Sequence, residues 1–326
     1  MNTINTNHWK RSTRSILRQA SLAPSSHNTQ PWLFRVSGPD IEFWADRSRA
    51  LPVNDPDDRE LHISCGCALL NLRVAATGDG LNPQVEILPE PGERDLLARV
   101  SLREHTRGSL VDADLARFIP NRRTWRQRFA LREVEVSLVD EIIASASYEG
   151  AQLQPIVADE KRLLAANLVA EGDAVQWADP NWRNELAAWV RPGSGGDGLQ
   201  LPILPPALTQ ACIRRFDMGN RVGAWNRELA LSAPVLAVLS TYSETPGDWL
   251  LAGQALQRLL LVACQQGLQA SYLNQPIQLA ALRPKTRDLV DSGHPQILLR
   301  IGYPVKNPAP TARRPVEDFI EFLPAD

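Results

Sequence analysis

No glycine-rich Rossmann or Walker loop occurs in these 326 residues, so a phosphate bound by this chain cannot rest on such a loop. No Ser-His-Asp, Cys-His or carboxylate-pair pattern stands out, which leaves no side-chain catalyst to start from. The four cysteines (Cys65, Cys67, Cys212, Cys264) lack zinc-ligand spacing, and the five histidines form no metal motif. Cys65-Gly66-Cys67 and Cys264 lie in apolar, helix-like runs and read as buried free thiols, so a cytoplasmic location is expected. No apolar run is long enough to span a membrane. Residues 1–14 are polar and then basic, and Lys10-Arg11 has no apolar stretch behind it, so no export signal is expected. A dominant charge sign is also missing. The net charge is −2, which excludes a nucleic-acid or membrane-surface field over the whole molecule.

What is present is ordinary globular composition, 44% hydrophobic and 22% charged, with length for one large domain or two ordinary ones. One stretch is not ordinary: Ala23-Pro24-Ser25-Ser26-His27-Asn28-Thr29-Gln30-Pro31-Trp32. Residues 16–22 read as a helix that Pro24 ends, and residues 33–36 read as a strand. Between them, short hydroxyl and amide side chains clamped by two prolines can present donors and acceptors at fixed angles. A tight turn needs one or two of these residues, and the Ser-Ser-x-Asn-x-Gln-Pro-Trp pattern uses six. His27 reads as a local hydrogen-bonding residue rather than a base.

Further along, residues 41–45, 85–88 and 97–102 read as strands. Residues 60–76 form a helix apolar on most of its circumference, which marks a central buried helix ended by Gly78 and Gly80. A second unit starts near Phe118. It has a helix at 139–146, strands at 153–157, 233–240 and 297–303, and a second all-round apolar helix at 249–267. Residues from Ala68 to Leu81 align without gaps on Ala255 to Leu268, so a duplication is read. Residues 172–226 interrupt the second unit with Trp177, Trp182, Trp189 and Trp225, the linker Pro192-Gly193-Ser194-Gly195-Gly196, and the run Leu201-Pro202-Ile203-Leu204-Pro205-Pro206. Residues 180–190 read as a short helix capped by Asp179, with Trp182, Leu186 and Trp189 on one face. A lid over a ligand and a packed surface excursion both remain open for this segment.

Two arginine groups remain, Arg122-Arg123-Thr124-Trp125-Arg126 and Arg313-Arg314. Each alone reads as a solvated charge run. Together they supply enough guanidinium to grip a terminal phosphate in bidentate fashion.

The Pro-Ser-Ser-x-Asn-x-Gln-Pro-Trp run resembles the flavin-contacting loop of the nitroreductase superfamily, and the resemblance extends over most of the chain. It is closest to the long, fused, Acg-like FMN-binding oxidoreductases. The resemblance implies an α+β fold of two fused half-units, residues 1–117 and 118–326, forming an intramolecular pseudo-dimer around the two buried helices. A monomer is then expected. It implies that Ser25, Ser26, Asn28 and Gln30 contact FMN, and that Arg122, with Arg313 or Arg314, takes the phosphate. Arg123 belongs to the same motif, Thr124 takes a nearby oxygen, and Arg126 approaches the N1–O2 edge of the ring. Asn274 and Gln275 lie where the family offers a backbone N–H to flavin N5. Only one arginine set and one loop occur, so one FMN per chain is expected. The leading functional reading is an FMN oxidoreductase passing electrons from NADH or NADPH to a small-molecule acceptor such as a quinone or nitroaromatic. The alternative is an FMN store under a closed lid with little turnover, and a specialised chemistry such as flavin fragmentation or dehalogenation is a third.

Overall fold

The computed structural model describes residues 6–104, 112–192, 195–200 and 205–324. The polar N-terminal five residues, Gly193-Ser194 of the linker and the 201–204 part of the proline-rich run lie outside the described residues.

Two helices organise the chain. Helix α2 (Arg59–Gly78) follows α1 (Thr6–Ala20), and α8 (Pro246–Gln265) is its counterpart near the C-terminus. Because α2 is apolar on nearly every side, 17 of its 20 residues are buried, a burial only a central position can satisfy. Thr245 and Asp248 close a capping box at the start of α8, and Pro246 takes its first position. Beyond the helix ends, Gly80 (φ +79°) and Gly267 (φ +75°) take up the left-handed backbone that lets the chain turn away. The helices approach closely enough at Gly66 and Gly253 for backbone to meet backbone. Beside the contact, Gln257 Nε2 donates to Asn71 Oδ1 at 2.7 Å, pairing two fully buried amides.

One sheet lies on each side of this pair. Strands β1 (Trp32–Ser37), β2 (Asp40–Ala45), β3 (Leu81–Ile87), β4 (Leu96–Glu104) and β9 (Ile320–Phe322) form the first, in the order β3-β4-β2-β1-β9. Strands β5 (Gln152–Pro155), β6 (Val235–Thr241), β7 (Gln269–Tyr272) and β8 (His294–Gly302) form the second, in the order β5-β6-β8-β7. The fold is α+β. The C-terminal arm leaves β8, crosses the molecule and adds β9 parallel to β1, with Phe34 opposite Ile320. It brings residues 311–318 against the loop before β1. The expected 117/118 boundary falls inside a 3-10 helix, Leu115–Phe118.

The Trp-rich interruption is longer and more helical than its composition suggested. Helices α4 (Asp159–Ala178), α5 (Pro180–Ala188), α6 (Pro206–Arg215) and α7 (Gly219–Leu231) all lie between β5 and β6; α3 (Val136–Tyr148) precedes β5 and the short α9 (Gln275–Gln278) follows β7. The first half of α4 covers the second sheet, with Ala165, Ala166, Leu168 and Val169 packed on Leu236, Val238 and Leu298. Only beyond it does the segment form a small core of its own, from Trp177, Trp182, Ala187, Val190 and Ile213. As expected, Asp179 caps α5 by accepting from Asn181 N–H at 2.8 Å. Among the described residues, no helix is long and apolar enough to cross a membrane, and no metal-binding cluster occurs.

Candidate cofactor cleft

Between the first loop, α2 and the second sheet lies a cleft. Pro24, Ser25 and Ser26 form one wall. Glu60, Ile63, Ser64 and Cys67 form the second, a seam at i, i+3, i+4 and i+7 along α2. Leu256 of α8, Tyr272 at the end of β7, Asn274 and Ile297 close the third. The loop is held in an uncommon backbone. His27 (φ 51°), Asn28 (φ 56°) and Gln30 (φ 54°) are all left-handed, and such strain collects where a site must be shaped. Ser25 Oγ accepts the Gln30 N–H at 2.9 Å, and Ser26 Oγ donates to Glu60 Oε2 at 2.6 Å.

The loop divides its residues between two jobs. Ser25 and Ser26 face the cleft, whereas Asn28 and Gln30 turn away. Asn28 Nδ2 donates to the carbonyls of Gly198 and Ala312, and Gln30 Nε2 to that of Gly196 at 2.8 Å. Gln30 Oε1 accepts the Arg314 N–H. Both amides therefore stitch the loop to the insertion and to the C-terminal arm. Arg314 is likewise engaged elsewhere, donating to the carbonyls of Gln30 and Asp318.

Arg122, Arg123, Arg126 and Arg313 lie near one another beside the cleft, close enough that Arg122 acts on Cys67 and Tyr272 in its lining. Arg122 is 4% exposed, and although Nη2 donates to the Leu22 carbonyl, Nε and Nη1 have no partner. Arg123 Nε is also unpartnered. Arg313 differs, because its donors are taken by the carbonyls of Ser21, Leu22, Ala23, Thr311 and Ala312. Burial, with Arg122 and Arg123 adding repulsion, pushes Arg313 down to about 9. Burial also lowers Arg126, which stands between Tyr272 and Arg122. Tyr272, hydrogen-bonded to Thr124, is pushed up to about 12 mainly by burial. A buried guanidinium with free donors among like charges is costly, and an anion would complete it. Arg122 and Arg123, with their free donors, therefore fit the phosphate of a phosphate-terminated ligand.

Asn274 reaches the cleft, with Nδ2 donating to Glu60 Oε1 at 3.3 Å and Oδ1 accepting the Leu298 N–H at 3.0 Å. Gln275 does not. Its side chain turns to α4, donating to Asp173 Oδ1 at 3.2 Å beside Gly172. His27 is held down to about 4, first by burial, so it is neutral near pH 7. Among the described residues, no lining residue comes from the Trp-rich segment. That segment docks beside the cleft, where Trp182 Nε1 donates to Asn54 Oδ1 (3.0 Å) and Glu185 accepts the N–H groups of Val53 and Asn54. Arg49 also pairs with Asp197. Between the two readings left open, this packing favours the excursion over the lid. Sequence reasoning missed Glu60, Ser64, Cys67 and Tyr272, although the polar seam in α2 was a usable signal.

The geometry defines a class: an α+β protein with a cleft between central helices and second sheet, and a group of buried arginines beside it. No family model matches the sequence. The chain is 30% identical over 321 residues to a Mycobacterium tuberculosis H37Rv protein named "Putative NAD(P)H nitroreductase", covering 95% of this chain and 91% of the relative. It is 28% identical over 325 residues to the M. tuberculosis protein of the same name with the suffix acg, covering 96% of each. Among solved structures, the FMN and NADPH-dependent nitroreductase NfnB of sphigopyxis sp. strain HMH is 18% identical with a TM-score of 0.44, covering 64% of this chain and 98% of that one. A nitroreductase-named protein from Desulfovibrio desulfuricans in complex with FMN is 18% identical with a TM-score of 0.38, covering 63% and 93%. This chain belongs to the nitroreductase family, in its Acg-like branch.

Proposed function

We propose that this protein is an FMN-dependent oxidoreductase that takes electrons from NADH or NADPH and passes them to a small-molecule acceptor such as a quinone or nitroaromatic. The carrying observation is Arg122, buried beside the cleft near Cys67 and Tyr272 with two unpartnered nitrogens. FMN, when bound, supplies the hydride chemistry. The chain supplies position and charge. Arg122 would hold the phosphate, with Arg123 close by and Arg313 adding positive field while bracing the end of α1. Arg126, which with Arg122 stands near Tyr272, would face the ring edge that gains negative charge on reduction. Ser25 and Ser26 would line the ring, and Ile63, Leu256 and Ile297 would keep water from it.

Two fused halves, 1–117 and 118–326, support one site rather than two. The register that lays Ala68 on Ala255 puts cleft-lining Cys67 on Gln254. Gln254 is instead bound by Arg73 at 2.8 Å, within a buried ion-pair network of Arg73, Glu149, Arg258 and Asp112. One FMN per chain is therefore expected from flavin release against protein concentration. A ratio of two would refute the single-site reading.

Anaerobic addition of NADPH to the FMN-loaded protein tests the activity directly. The flavin absorbance should bleach and return when a quinone is added. Absorbance that stays unchanged with both nicotinamide donors would sink the oxidoreductase reading.

A further inference from the structure

Glu60 is 3% exposed and stands in the cleft wall. Ser26 Oγ (2.6 Å), Asn274 Nδ2 (3.3 Å), Arg59 Nη2 (3.4 Å), Asn54 Nδ2 (3.5 Å) and Gln278 Nε2 (3.0 and 3.1 Å) surround its two oxygens. The direction of these bonds is fixed by groups further out. Asn54 Oδ1 accepts from Trp182 Nε1, which can only donate, and Asn274 Oδ1 accepts the Leu298 N–H. The amide nitrogen of each is therefore the end that faces Glu60, and Arg59 has nothing but donors to offer. With donors on both oxygens, Glu60 is an acceptor throughout, and the Ser26 hydroxyl gives it its single hydrogen. The Ser26 backbone N–H is also taken, by Ser64 Oγ one turn further along α2 (3.4 Å). Ser26 Oγ is thus left with lone pairs alone for a ligand in the cleft, and donation to a carboxyl group strengthens them as acceptors.

Two donors accompany that acceptor. Asn274 lines the same cleft, and one hydrogen of its Nδ2 remains after the bond to Glu60. Among the described residues, no group accepts a hydrogen bond from Arg126, which together with Glu60 acts on His27, the residue after Ser26. One acceptor with two donors is the complement of an imide, an N–H flanked by two carbonyls. The isoalloxazine ring carries one such edge, the N3–H between the C2 and C4 carbonyls, and N3–H is the sole N–H of the oxidised ring. Resting on the FMN reading, we infer that Ser26 Oγ accepts the flavin N3–H, with Arg126 at the C2 carbonyl and Asn274 Nδ2 at the C4 carbonyl. Glu60 does not touch the flavin in this arrangement. It is the positioning residue that keeps the Ser26 hydroxyl turned away and its oxygen an acceptor.

Titration calorimetry of FMN and 3-methyl-FMN against the full chain freed of flavin tests this. Methylation at N3 removes the donor and leaves the phosphate as it was. The wild type should bind 3-methyl-FMN at least about tenfold more weakly than FMN, because the Ser26 oxygen loses its partner. In Ser26→Ala the ratio of the two affinities should shrink towards one, since FMN loses the same bond and the missing hydroxyl leaves room for the methyl group. Glu60→Gln should shrink it as well. The glutamine brings an amide donor to a place where every neighbour donates, so the Ser26 hydroxyl turns and its oxygen is no longer held as an acceptor. A merely structural loss at Glu60 would instead weaken both ligands alike and leave the ratio as in the wild type. Should Glu60→Gln fail to fold, Ser26→Ala, which removes one oxygen from the cleft wall, decides alone. Equal affinities for the two flavins in the wild type, or a ratio unchanged in Ser26→Ala or in folded Glu60→Gln, overturns the proposal. Wild-type chain that binds no FMN would overturn the underlying FMN reading, and the proposal with it.

Discussion

Arg122→Ala should weaken FMN binding about ten- to hundredfold, the equivalent of about 1.5–3 kcal/mol for a charge-assisted contact, and leave riboflavin affinity unchanged. The reasoning is a donor count. Of the two arginines that could take the phosphate with the motif, Arg313 spends its donors on carbonyls at the end of α1 and in its own arm. Arg122 keeps Nε and Nη1 free although it is almost wholly buried. Riboflavin lacks the phosphate and so reads the cleft without that contact. Arg313→Ala should behave differently, weakening both ligands, because freeing the carbonyls of Ser21, Leu22 and Ala23 loosens the wall that carries Pro24 and Ser25. Isothermal titration of both variants against both ligands distinguishes the roles. Equal losses for FMN and riboflavin in Arg122→Ala would make Arg122 a structural residue.

The second large effect lies far from the ligand, where the central helices touch. A Cβ at Gly66 would stand 2.1 Å from the Leu250 carbonyl oxygen, and one at Gly253 would stand 2.1 Å from that of Ile63. Backbone cannot swing aside as a side chain can, so α2 and α8 must part. Either glycine-to-alanine change should cost at least the upper end of the about 1–3 kcal/mol usual for overpacking, read as a lower urea midpoint of the apoprotein. The double variant should cost less than the sum, since one separation of the helices accommodates both methyl groups. An unaltered midpoint in both single variants would show that the helix pair is not the rigid centre of the fold.

The parts of the molecule legible beforehand are those with strong local periodicity or local chemistry. Residues 60–76 and 249–267 announced buried helices because no face was polar enough to meet water. Asp179-Pro180 announced the start of α5 through its cap. Helices α4 and α7 were harder to see, because their apolar residues mix with polar groups whose partners lie far along the chain, as Lys285 for Glu171 and Asn226 and Gln275 for Asp173. Composition drew the eye to tryptophan and proline instead. The arginine run at 122–126 and the pair at 313–314 were visible as charge, but not which guanidinium would be left with free donors.

From the residues alone came the two buried helices, the hydroxyl- and amide-rich loop, the arginines and the absence of any other phosphate device, because each depends on residue type and short-range spacing. Tertiary structure alone decided how these parts divide their work. It turned Asn28 and Gln30 towards Gly196, Gly198 and the C-terminal arm, and sent Gln275 to α4 and Arg314 to the Gln30 carbonyl. It also set Glu60 in the cleft wall, within reach of Ser26 and Asn274. Those outcomes depend on which carbonyl or amide lies within hydrogen-bonding reach across 100 or more residues of chain, as between Gln30 and Gly196 or Asn28 and Ala312. Local pattern carries no record of such a partner, since a buried polar group takes its orientation from whatever the packed chain places beside it.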